Sequence, residues 1–116
     1  MAMERRMKRE RSEGNAPGGA EQIYRMLFEN SRDALYFTTR DGMIIEANQS
    51  FIELFGYARD EIVGEDIRKI YANPRDRALF QEEIEARGAV SSYALQLRRQ
   101  DGTVIDCLLT SSIRRG

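Results

Sequence analysis

The spacing of apolar residues along this chain alternates between the three-to-four-residue period of a helix and the two-residue period of a strand. From Ala20 to Asn30, Ile23, Tyr24, Leu27 and Phe28 recur at helical spacing and lie on one face, with Met26 widening the apolar arc. This predicts a short amphipathic helix. The stretch ALYFTT, Ala34 to Thr39, is rich in aromatic and β-branched residues, as strands are. Arg40-Asp41-Gly42 supplies a turn with a residue tolerant of positive φ, and Met43 to Glu46 resumes the strand pattern, so the pair reads as a β-hairpin.

After the hairpin the helical period returns. Asn48 is placed to cap a helix carrying Phe51, Ile52, Leu54 and Phe55, which ends at Gly56. Two short helical turns follow, Arg59–Val63 and Asp66–Ile70, with Gly64 permitting the change of direction between them. Pro74 suits the first turn of a longer helix, whose buried stripe reads as Leu79, Phe80 and Ile84, and which stops at Gly88.

From Val90 to Arg98 the residues alternate, with Tyr93, Leu95 and Leu97 on one face. Asp101-Gly102 is a second hairpin signal, and the strand beyond it, Thr103 to Ile113, has apolar residues on both faces. Ile105, Cys107 and Leu109 lie on one face, and Val104 and Leu108 on the other. The order predicts an α+β fold: an antiparallel sheet whose helices lie between two hairpins. Residues 1–19 read as a tail or linker, because charge is dense up to Glu13 and GNAPGG follows. The basic residues Arg5, Arg6, Lys8, Arg9 and Arg11 are diluted by Glu4, Glu10 and Glu13, so a solvated helix or disordered arm is the reading there. Residues 20–116 form the domain, with the amphipathic helix at its start.

Composition narrows the chemistry. A chain of 116 residues has room for one core. Its 18 Lys+Arg against 19 Asp+Glu leave a charge of -1, which offers no field for nucleic acid. No apolar run is long enough to cross a bilayer and the charged start lacks a secretory signal's apolar core, so a cytoplasmic location is expected. Histidine is absent, which removes the commonest general base and metal ligand. A single cysteine, Cys107, forms neither an internal disulfide nor a cysteine cluster.

Three segments together resemble the PAS family: YRMLFENSRDALYFTTRDGMIIEANQSFIELFGYARDEIVG at Tyr24–Gly64, NPRDRALF at Asn73–Phe80, and LQLRRQDGTVIDCLLTSSI at Leu95–Ile113. The resemblance covers about the last four fifths of the chain. It implies a five-stranded antiparallel sheet with helices on one face enclosing a pocket, and an outer face that meets a flanking helix or a second subunit. The family adds a final strand, central in the sheet, beyond the segment matched by SSIRRG. That strand is missing from this chain, as in a truncated piece, unless a neighbouring chain or the charged tail fills its place.

The resemblance further implies the lining of a ligand pocket. It would comprise Tyr36 and Thr38 on the first strand, Phe51 on the helix after the hairpin, Ile67 and Ile70 on the short turn, and Phe80 and Ile84 on the longer helix. Leu95, Leu97, Cys107, Leu109 and Ser111 on the last two strands complete it. Apolar residues at this spacing are equally a packed core; the hydroxyls of Tyr36, Thr38 and Ser111 are what suggest a small-molecule pocket, and a lining with neither carboxylate nor histidine suits a mainly apolar or aromatic ligand and no metal. The cofactor is unknown, but two family cofactors are argued against. Flavin photosensors carry a reactive cysteine in an Asn-Cys-Arg-Phe-Leu motif, where this chain reads Asp66-Ile67-Arg68-Lys69-Ile70, and histidine-ligated haem lacks its ligand. Cys107 sits mid-strand among apolar residues, as an inert thiol does.

The acidic groups Asp60, Glu61, Glu65 and Asp66, and Glu82, Glu83 and Glu85, flank amphipathic helices as solvated faces. Neither a nucleophile with a base nor a phosphate-binding glycine loop is present, so no catalytic residue is expected. Two functions fit the pattern: a sensory input domain of a histidine kinase or diguanylate cyclase type protein, acting as a homodimer on a C-terminal output domain, or a ligand-free module for dimerisation or protein interaction.

Overall fold

In the computed structural model, the structure describes residues 2–6 and 19–114. The elements are β1 (Ala2–Arg6), α1 (Ala20–Asn30), β2 (Leu35–Thr39), β3 (Ile44–Ala47), α2 (Gln49–Phe55), α3 (Arg59–Ile62), a 3-10 helix (Ile67–Ile70), α4 (Asp76–Arg87), β4 (Ala89–Arg98) and β5 (Val104–Arg114). The strands make one sheet in the order β3-β2-β1-β5-β4, and every pairing is antiparallel.

The turn chemistry sets most boundaries. Asn48 caps α2 by accepting from Phe51 N. Gly56 and Gly88 close α2 and α4 at φ of 83° and 80°, a conformation that only glycine adopts without strain. The 3-10 helix starts at Asp66, whose carboxylate accepts from Arg68 N at 2.9 Å.

Two corrections to the sequence reading follow. First, part of the segment read as a tail is a strand: β1 lies at the centre of the sheet, with Glu4 opposite Phe37 on one side and Ser112 on the other. Without a strand there, β2 and β5 would face each other with unpaired N–H and C=O groups. Backbone pairing places little demand on side-chain type, so a charge-rich segment satisfies it. The fifth strand is thus present, supplied by the start of the chain. The glycine-rich stretch that completes the proposed tail lies outside the described residues.

Second, Leu79 does not belong to the buried stripe of α4; it is 60% exposed, and Arg77 takes the third position beside Phe80 and Ile84. The spacing Arg77, Phe80, Ile84 is three and then four residues, which keeps one helical face, whereas Leu79 is rotated by a full residue step from Phe80.

In β4 the alternation is broken by a bulge between Val90 and Tyr93, with Ser92 at φ 54°. Val90 pairs with Ser111 and Tyr93 with Leu109, so two residues on β4, Ser91 and Ser92, stand opposite one on β5, Thr110. The core lies between the sheet and α2, α3, the 3-10 helix and α4. It contains Tyr36, Ile44, Phe51, Phe55, Ile62, Ile67, Ile70, Phe80, Ile84, Leu97 and Leu109. The first helix lies on the opposite face, where Phe28 is buried and stacks on Phe37 with centroids 5.8 Å apart.

Candidate functional site

The strand phase read from the sequence places Tyr36 and Thr38 on the helical side of β2, and both are buried. On β5 and β4, Leu109 faces inward opposite Tyr93, Cys107 opposite Leu95, and Ile105 opposite Leu97. All the residues assigned to a pocket lining converge on this side. Tyr36, Phe51, Ile67, Ile70, Phe80, Ile84, Leu95, Leu97 and Leu109 form one packed cluster, Cys107 packs against it half-buried, and Thr38 and Ser111 are buried polar residues. Tyr36 and Phe51 lie 5.0 Å apart, Phe51 and Phe55 4.7 Å apart, and Phe80 meets Tyr93 edge-on at 5.3 Å.

Packing fills much of this volume. Ser111 lines an open cleft of about 480 Å³ beside the β4 bulge, together with Glu83, Arg87, Val90, Tyr93 and Thr110. Leu95 and Cys107 line a second cleft of about 370 Å³ with Asp76, Gln96 and Asp106. The lining therefore divides between a dense interior and two shallow openings at the β4–β5 end of the sheet. Thr38 Oγ1 is buried with no hydrogen-bond partner among the described residues, which is the mark of a polar atom awaiting water or a ligand. Burial pushes the Cys107 thiol above its ordinary value, with Asp106 adding to the shift, so the thiol is neutral rather than nucleophilic. Burial likewise raises Tyr93, with Glu83 contributing.

Three features were not recognised in the sequence. Asn48 does more than cap α2. It is fully buried, its Oδ1 accepts from Leu35 N and Phe51 N, both at 2.9 Å, and its Nδ2 donates to the carbonyls of Phe28 at 2.8 Å and Asp33 at 2.9 Å. One side chain thus joins the end of α1, the entry to β2 and the start of α2. Arg59 adds a second link, donating to Ala47 O at 3.2 Å and pairing with Glu29 of α1 at 3.0 Å. The third feature is Arg77, buried on α4; its spacing to Phe80 and Ile84 was the available signal.

The outer face is mixed and only partly covered, with Asp106 between Val104 and Leu108 on β5 and Gln96 and Arg98 opposite on β4. Leu35 and Phe37 are half-buried beneath α1, while Val104 and Leu108 are 43% and 55% exposed. On α1, Tyr24 and Met26 are also exposed. Among the described residues, no group of histidine, cysteine or carboxylate side chains is arranged to hold a metal ion, and no helix is long and apolar enough to cross a membrane.

An antiparallel sheet in this strand order, with short helices over one face and an amphipathic helix on the other, defines an α+β domain. The sequence profile of the PAS domain matches residues 32–115, and the chain belongs to that family. Sensor protein TdiS of Thauera aromatica is 29% identical over 107 residues, covering 90% of this chain and 19% of that protein. Biofilm dispersion protein BdlA of Pseudomonas aeruginosa is 34% identical over 64 residues, covering 52% of this chain and 15% of that protein. The chain thus spans about a fifth or less of these relatives' length. A crystal structure of a domain of a sensory box sensor histidine kinase/response regulator from Geobacter sulfurreducens shares the fold, with a TM-score of 0.65 at 17% identity over 82% of this chain and 94% of that one. The chain is accordingly a PAS domain.

Proposed function

We propose that this domain is the regulatory input unit of a larger cytoplasmic signalling protein of the histidine kinase or diguanylate cyclase type, that it dimerises through its outer sheet face, and that it controls a C-terminal output domain. It acts by regulation and not by catalysis. The observation that carries this reading is the outer face itself. Val104 and Leu108 of β5, with Tyr24 and Met26 of α1, present apolar surface that the domain's own helix leaves open, and a second copy of the same face would bury it. The helix is tied to the core through Asn48 and Arg59. A change in the core that alters these links shifts α1 and with it the population of two dimer arrangements.

The input is a small apolar or aromatic ligand on the helical side of the sheet, supported by the unpartnered Thr38 hydroxyl. The density of packing around Phe51, Ile67, Phe80 and Ile84 favours a second reading, in which the domain binds no ligand and serves assembly alone. Native mass spectrometry after gentle purification separates the two. A dimer retaining a small molecule supports sensing, a ligand-free dimer supports assembly, and a monomer at all concentrations contradicts both.

A further inference from the structure

The stripe of α4 that packs towards the sheet contains a buried charge. Arg77 is 3% exposed, its Nη2 donates to the carbonyl of Arg40 at 3.3 Å, and its guanidinium carbon lies 5.8 Å from the centre of the Phe80 ring. Its Nη1 is buried with no hydrogen-bond partner among the described residues. Ion pairs join Arg40 to Glu85, Arg59 to Glu29 and Arg68 to Asp66, but none among the described residues involves Arg77. A guanidinium stays protonated, and a buried charge with an open donor is costly unless something pairs with it.

The surroundings of Arg77 show what that partner would be. Arg77 lines a cleft of about 360 Å³ between the Arg40-Asp41 turn, the 3-10 helix and the first turns of α4, and the cleft contains none of the residues assigned to the family's pocket. Of its other cations, Arg40 is held by Glu85 and Arg68 by Asp66, so among the described residues Arg77 is the cation of this lining without an ion pair, and Asp41 is the carboxylate without one. Gln81 lines the same cleft; its Nε2 donates to Glu85, while its Oε1 is buried without a partner among the described residues. Two residues of the cleft wall thus each carry one buried polar atom without a partner among the described residues, a cationic donor on Arg77 and an acceptor on Gln81. The Arg40–Glu85 pair in its wall is bidentate, with side chains 59% and 29% exposed.

We propose that this cleft binds a small monocarboxylate bearing a hydroxyl or ammonium group beside the carboxylate. The carboxylate accepts from Arg77 Nη1, and the adjacent donor satisfies Gln81 Oε1. A single unmatched cation suits a single negative charge, and Glu85 and Asp41 in the walls disfavour a dianion such as phosphate. This site is additional to the regulatory reading above and stands without it.

The experiment is titration calorimetry of the whole chain with sodium L-lactate, sodium propionate and inorganic phosphate at matched ionic strength, repeated on Arg77→Met and Gln81→Met. Lactate is expected to bind the unaltered chain saturably, more tightly than propionate, with no binding of phosphate. Arg77→Met, folded by circular dichroism, weakens lactate about tenfold or more, as loss of a charge-assisted pair does. Gln81→Met brings lactate and propionate to parity, and this comparison decides the matter if Arg77→Met does not fold. The proposal is overturned if the unaltered chain ignores lactate, if phosphate binds equally well, if folded Arg77→Met retains full affinity, or if Gln81→Met keeps the preference for lactate.

Discussion

The ring of Phe28 on α1 lies over that of Phe37 on β2, with centroids 5.8 Å apart and planes inclined by 25°. This stack divides the outer face of the sheet. The β2 side is covered by the domain's own helix, and the β5 side, with Val104 and Leu108, is not. Phe37 therefore serves the domain's own stability, and an interface with a second copy is to be sought on β5.

Replacing Phe80 by alanine is expected to destabilise the fold by about 3–5 kcal/mol, the range for deleting a buried Phe ring. The ring is fully buried and meets Tyr93 edge-on at 5.3 Å. Denaturant melts check this, and agreement of mutant and parent within about 1 kcal/mol would contradict the placement of α4.

Asn48→Asp keeps an acceptor for Leu35 N and Phe51 N but turns an oxygen towards the carbonyls of Phe28 and Asp33, which now receive a donor. A loss of about 2–4 kcal/mol follows from leaving buried groups unsatisfied. Hydrogen exchange should rise first in α1 and at the entry to β2. Unchanged protection in α1 would show that Asn48 does not couple the helix to the core.

Cys107 has a thiol pKa raised by burial, with a smaller contribution from Asp106. The stability associated with the neutral thiol is fully present below the unfolded thiol's ordinary value of 9.0 and is lost as pH rises through the higher folded value. Alkylation by iodoacetamide should be slower in the folded chain than in the unfolded one, and its rate should reach half-maximum at a higher pH. A half-maximum at or below that of the unfolded chain would contradict the burial.

Much of this architecture is legible in the sequence because its causes are local. Glycines 56 and 88 mark helix ends by their left-handed conformation, Asp101-Gly102 marks the second hairpin, and period-two spacing puts Leu95 and Cys107 on one face. The central strand is legible only as a gap that the charged tail is one way to fill, since β1 is selected by the vacant ladder between β2 and β5 and not by its own residue types. The bulge at Ser91–Ser92 escaped for a related reason: alternation alone sets Val90 and Tyr93 on opposite faces, and only the pairing with Ser111 and Leu109 brings both inward. Hydrophobicity favours Leu79 for the buried stripe of α4, whereas the phase set by Phe80 and Ile84 points to Arg77. The residues proposed as a ligand lining share one side of the sheet because the strand and helix periods that group them are local. Whether such a set encloses a pocket or packs solid depends on side-chain volumes and helix positions that spacing does not encode.

The central claim, that this domain pairs through the open part of its outer face, is tested most directly by light scattering on Val104→Glu combined with Leu108→Glu. Both side chains are exposed and lie away from the Phe28–Phe37 stack, so the fold should survive, as circular dichroism will show. A dimeric parent and a folded monomeric variant are the expected result, and a variant that remains a dimer would contradict the account.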